Sequence, residues 1–219
     1  MKQQARSGVR AKAAMACFVA LAGWVALFAD EARTWTFDGD GAGKPPAGFE
    51  FGPGTWIVVE AADAPSGKQV LEQQAKNPGA TYNVALAADA APADLEVSVR
   101  FQSVAGGSDQ GGGIVWRAKD AKSYYIARFN PLEANLRAYK VIDGKRTQLA
   151  NNEGLELPGG WHTLSVVMVG KAVTVEVDGA NMFHFEDDSL PEAGRVGLWT
   201  KADAQTRFDD LKAGPAQKQ

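Results

Sequence analysis

From Arg33 to Ala213 the chain is a succession of short segments in which apolar and polar residues alternate, separated by Gly, Pro, Asp and Asn. Leu95–Gln102 shows the period of two plainly. Leu95, Val97, Val99 and Phe101 fall on one face, and Glu96, Ser98, Arg100 and Gln102 on the other, as a half-buried strand requires. The same reading predicts strands at Thr34–Phe37, Trp56–Glu60, Gln69–Gln73, Tyr82–Ala87, Gly113–Arg117, Tyr124–Asn130 and Asn135–Ile142. It continues through Arg146–Ala150, Trp161–Val169, Val173–Val177, Asn181–Phe185, Val196–Thr200 and Thr206–Leu211. Asp143-Gly144 and Asp178-Gly179 supply the positive φ angles of tight hairpins between four of these segments. No stretch of the body keeps a helical period beyond two turns. An all-β, two-sheet sandwich or jelly roll is predicted over residues 31–213, with residues 214–219 (GPAQKQ) as a frayed tail.

The first thirty residues follow a different rule. Residues 1–29 carry Lys2, Arg6, Arg10 and Lys12, no acid, and then an apolar run from Ala13 to Ala29. A basic segment leading into a short apolar stretch is the pattern of a signal peptide. Leu27-Phe28-Ala29 makes a poor cleavage site, so an uncleaved membrane anchor is the alternative reading. Either places the body outside the cytoplasm, in the periplasm or secreted, touching a membrane only through this segment. Cys17 sits inside the run and is read as filler.

Composition narrows the chemistry. One Cys and two His among 219 residues exclude an internal disulfide and a cysteine zinc site, and disfavour a histidine metal centre. Without residues 1–29 the chain keeps 19 basic against 26 acidic residues, which argues against nucleic-acid binding. Ser123, Ser165 and Ser189 lack the setting of a nucleophile. The glycines of residues 106–113 lack the Gly-Lys-Ser/Thr ending of a phosphate loop and read as a flexible loop feeding a strand. No cofactor is expected. The acidic run Glu186, Asp187, Asp188 is the place where Ca²⁺ could bind, with a solvated turn as the other reading; Asp209-Asp210 is a second such pair.

Several segments resemble known families. Trp35-Thr36-Phe37-Asp38, Pro46-Ala47-Gly48-Phe49 and Gly54-Thr55-Trp56 look like the opening of a concanavalin A-like sandwich. Gly160-Trp161-His162-Thr163-Leu164 and Val175-Glu176-Val177-Asp178-Gly179 resemble laminin-G-like and pentraxin-type domains. The ending Gly194-Arg195-Val196-Gly197-Leu198-Trp199-Thr200-Lys201-Ala202-Asp203, then Phe208-Asp209-Asp210-Leu211, is similar to the 3-keto-disaccharide hydrolase domain family. The resemblance implies a concanavalin A-like fold and a carbohydrate-related role. It supplies no catalytic residues: the Glu-x-Asp-x-x-Glu segment of jelly-roll glucanases is missing, and Glu176-Val177-Asp178 runs straight into a turn.

One sheet face is predicted to bind ligand. If residues 111–143 form adjacent antiparallel strands, alternation puts Tyr124, Arg128 and Asn130 with Asn135, Arg137 and Tyr139, opposite Tyr125, Ala127 and Phe129. Arg117 would join them, and Arg100 with Gln102 would extend the face. Rings stack on sugar faces while Asn and Arg forks bond hydroxyls or carboxylates, so a glycan or glycoconjugate is the expected partner of a monomer. A solvated sheet face held by cross-strand pairs fits the same residues. A sugar-cleaving hydrolase or lyase would draw its acid or base from Glu133, Asp143 or His184, and a protein-recognising adhesion module is the third reading.

Overall fold

The computed structural model describes residues 32–217. The signal or anchor reading of residues 1–29, and Cys17 with it, lies outside them. The described residues form fifteen strands: β1 (Arg33–Trp35), β2 (Phe49–Phe51), β3 (Trp56–Glu60), β4 (Gln69–Gln73), β5 (Tyr82–Ala91), β6 (Leu95–Ala105), β7 (Gly112–Asp120) and β8 (Ser123–Asn130). Next come β9 (Asn135–Ile142), β10 (Lys145–Glu153), β11 (His162–Val169), β12 (Ala172–Val177), β13 (Ala180–Glu186), β14 (Gly194–Lys201) and β15 (Gln205–Pro215). Two antiparallel sheets result. The first runs β13-β12-β11-β6-β15-β4-β3 with β1 also on β15, and the second runs β10-β9-β8-β7-β14-β5-β2. This is the all-β, two-sheet sandwich that the alternation predicts.

The two Asp-Gly turns form as expected, with φ of 50° and 81° at Asp143 and Gly144, and 49° and 76° at Asp178 and Gly179. β2 was not predicted, because three residues after a Pro-rich segment carry too little periodicity. β15 continues through Gly214 and Pro215, which pair with Glu96 and Leu95, so the chain is still ordered where the frayed tail was expected to begin. The registers set two poles. β1, the Asp143 turn and the end of β15 lie at one, and the loops at residues 106–111, 131–134 and 202–204 lie at the other.

The sheets differ in how they bury their residues. In β6 the inward Leu95, Val97, Val99 and Phe101 are at most 1% exposed while Glu96 faces solvent. Every residue of β8 is buried, on both faces. Tyr125, Ala127 and Phe129 enter the core between the sheets, where Trp116 stacks on Tyr125. Tyr124 and Ile126 join a second apolar cluster on the outer face with Val84, Leu86, Val115 and Trp199. At about 1.5–3 kcal/mol for each large side chain removed from water, that second cluster is a substantial part of what holds the second sheet in shape.

Candidate functional site

Register fixes the site. Tyr124 stands opposite Val141, Ile126 opposite Tyr139, Arg128 opposite Arg137 and Asn130 opposite Asn135. Tyr124, Arg128, Asn130, Asn135, Arg137 and Tyr139 therefore share the outer face of the second sheet, as alternation predicts. Arg117 does not join them. It has φ 47° at an irregularity in the pairing of β7 with β8, which turns the side chain toward the pole of the sandwich. There its buried guanidinium donates to Ala93 O at 2.9 Å, Leu190 O at 3.1 Å and Gly170 O at 2.8 Å, and burial lowers its pKa. It clamps three loops. Arg100 and Gln102 are likewise elsewhere: they belong to β6 of the first sheet, where Gln102 donates to Asp63 at 2.9 Å.

The face is curled. Arg146 on β10 and Tyr82 on β5 are separated by four strands, about 24 Å in a flat sheet. Yet the Arg146 guanidinium carbon stands 5.2 Å from the centre of the Tyr82 ring and 4.3 Å from that of Tyr139. Tyr82 in turn lies 5.5 Å from Trp199, whose indole N–H donates to Tyr124 Oη at 3.2 Å. Tyr124 is fully buried although it points away from the sandwich core, and that burial raises its pKa. These rings pack together beside Arg146, and of the four only Tyr82 keeps part of its surface open to solvent.

Toward the loop at residues 131–134 the same face becomes polar. Arg128, 3% exposed, donates to Asn135 Oδ1 at 2.5 Å, Glu133 Oε2 at 2.7 Å and Tyr139 Oη at 3.2 Å. Gly113 beside it makes room, since a Cβ there would stand 2.7 Å from Arg128 Cβ and 2.2 Å from Ala127 O. Arg137 donates to Glu153 at 2.8 Å and to Asn151 at 3.0 Å. Asn130 Nδ2 donates to the buried Asp109 at 3.3 Å, and Lys201 Nζ lies 3.5 Å from its other oxygen. The loop before Asp109 is pinned, because Asp203 accepts the backbone N–H groups of Gly107, Ser108 and Asp109, which also hold its pKa below the usual range. These bonds tie the glycine loop to the turn at residues 202–204.

Burial opposes the charge on Glu133, but the Arg128 guanidinium outweighs it and keeps the carboxyl below its ordinary pKa. The bond from Arg137 lowers Glu153 in the same way. Glu133 and Glu153 both lie 3.3 Å from Asn135 Nδ2, so the face holds two neighbouring carboxylates, both ionised.

The candidate catalytic residues are not brought together. Glu133 belongs to this network, and Asp143 sits at the opposite end of β9. His184 is on β13 of the first sheet, exposed, with its ring nitrogens against Thr174 Oγ1 at 2.9 Å and Asn181 Nδ2 at 3.0 Å. The acidic run does not converge either. Asp187 engages the Tyr125 hydroxyl at 2.6 Å and Lys140 Nζ at 2.7 Å, while Glu186 pairs with Lys171 at 2.8 Å. Among the described residues no three His, Cys, Asp or Glu side chains gather as a metal would need. His162 is held by Asp178 and by Pro158 O, both at 2.7 Å, beneath the first sheet's surface. Asp209, fully buried in β15, is the one carboxyl among the described residues whose pKa is pushed well up, to about 6, by burial and by neighbouring Asp210.

Compared by sequence, the chain matches no family model and no curated protein. Its fold does match solved structures. The carbohydrate-binding module CBM66 from Bacillus subtilis superposes with a TM-score of 0.62 at 18% identity, covering 75% of this chain and 94% of that one. The Crh5 transglycosylase gives 0.58 at 14%, covering 86% of each chain. The Bacillus licheniformis β-glucanase gives 0.55 at 9%, covering 80% of this chain and 95% of that one.

Proposed function

We propose that the protein binds a glycan or glycoconjugate on the curled outer face of its second sheet. The observation that carries this reading is the presence, on one sheet face, of a ring and a guanidinium fork that are both partly open to solvent, Tyr82 and Arg137. Tyr124, Tyr139 and Trp199 are buried with Tyr82, and Arg128, Asn130 and Asn135 are buried on the same face as Arg137, so these six supply the frame that holds the two open groups. A pyranose offers an apolar face to rings and a rim of hydroxyls to planar donors and acceptors, and this surface offers both in a rigid frame. Structural neighbours whose names speak of carbohydrate binding and of glucan chemistry support the class of ligand. The likeness of the chain's ending to 3-keto-disaccharide hydrolase domains supports it as well.

Binding is the reading preferred over cleavage. Glycoside hydrolysis requires one carboxyl to arrive protonated, and both carboxyls on this face have lowered pKa values. The basic, acid-free segment of residues 1–29 supports a location outside the cytoplasm, where such ligands are abundant. The test is calorimetric titration against a panel of oligosaccharides. Arg137→Ala and Tyr82→Ala should each weaken binding about tenfold, equivalent to ~1.4 kcal/mol. A panel in which no saccharide binds, or in which both variants bind like the parent, overturns the reading.

A further inference from the structure

Arg146 differs from every other cation on the curled face. Arg128 and Arg137 meet carboxylate and amide oxygens, and Lys201 meets Asp109. Arg146 meets two rings, at 4.3 and 5.2 Å, and no oxygen among the described residues accepts a hydrogen bond from it. Its side chain is half-buried, so its five N–H donors have partly left water without being replaced in kind. The turns beside it are basic. Lys119 is the last residue but one of β7, Lys122 lies in the turn to β8, and Lys145 begins β10; all three are exposed and without an ion pair among the described residues. The Gly144 N–H donates to Lys122 O at 2.8 Å and joins the two turns. The acids at this end are Asp120, whose carboxylate accepts the Lys122 N–H at 2.7 Å, and the exposed Asp143.

A guanidinium already oriented by aromatic rings loses little freedom when it binds, and its planar fork matches the two oxygens of a carboxylate or the edge of a sulfate. A neutral sugar leaves such a fork underused. We propose that Arg146 selects acidic saccharides: one carboxylate or sulfate docks on its free donors, and the ring that bears it lies toward the half-buried Tyr82. This rests on the glycan reading of the face and adds the class of glycan.

The experiment compares oligogalacturonate with its carboxyl-reduced counterpart, and chondroitin sulfate with its desulfated form, on the full protein. The parent should prefer at least one acidic form about tenfold or more over its neutral counterpart, and the preference should shrink as salt rises. Arg146→Gln should bring the acidic and neutral forms to the same affinity; Arg146→Lys, which keeps the charge without the fork, should retain part of the preference. Thermal midpoints of both variants check that each is folded. Equal binding of acidic and neutral forms, or a preference that survives Arg146→Gln, overturns the selectivity and leaves the glycan reading standing. If no saccharide binds at all, both fall. Capture by phosphatidylglycerol vesicles in place of any saccharide overturns it in favour of a membrane surface.

Discussion

At Arg117 a single backbone angle decides what a side chain does. With φ at 47° the residue leaves the alternation of β7 and its guanidinium becomes the common partner of three carbonyls. Arg117→Met leaves those carbonyls without their donor, so a stability loss of about 3 kcal/mol is expected in urea titrations, with glycan affinity unchanged in the folded fraction. Gly113 acts through absence. The clash of a Cβ with Ala127 O predicts that Gly113→Ala costs ~1–3 kcal/mol and disturbs Arg128, so it should weaken both stability and binding. A folded variant with unaltered affinity would show that Arg128 is only structural.

At the scale of elements, much of the architecture is legible in the sequence. Trp56–Glu60, Gln69–Gln73 and Asn135–Ile142 are strands with the predicted ends, each bounded by turn formers, and Trp56–Glu60 also alternates in burial with a period of two. Alternation also sorts β8 and β9 onto their faces, which places six of the seven expected ligand residues together. What alternation does not reveal is the curl. Tyr82 and Trp199 are diagonal neighbours on the adjacent strands β5 and β14, but Arg146 comes from distant β10 and reaches Tyr82 only because the second sheet bends. A signal was present nonetheless: Val84–Ala87, Ile114–Trp116 and Tyr124–Ala127 are unbroken apolar runs, the mark of a strand buried on both sides. Arg117 was beyond such reasoning, since a bulge shifts every later side chain to the other face. Glu133, Asp143 and His184 have suitable chemistry, but nothing in their spacing tells that they occupy separate places.

For the whole molecule the carboxyls give stability a direction with pH. Asp209 is raised to about 6 from 3.8, so the folded state holds its proton where the unfolded chain has released it. Its share of stability is therefore intact below 3.8 and is lost as pH rises through about 6. Asp187, lowered to about 2, acts oppositely: its contribution is present above 3.8 and disappears as pH falls toward 2. Denaturation midpoints measured across acid and neutral pH should thus peak in the mildly acid range. Asp209→Asn should remove most of the decline between 3.8 and about 6, and an unchanged pH profile would place the titrating group elsewhere.

The order in which the strands are made runs against the order in which they are packed. β14 lies between β7 and β5, and β15 between β6 and β4, so the last strands of the chain fill the middle of both sheets. A nascent chain that ends before Gly194 holds the second sheet as two unjoined parts, and the first as two with β1 left unpaired, all with open edges. Folding must then wait for the C-terminus, a high contact-order route that keeps the growing polypeptide dependent on protection from aggregation. Removing residues from Gly194 onward should abolish the cooperative transition entirely, whereas removal of an edge strand such as β13 should lower its midpoint and leave it cooperative.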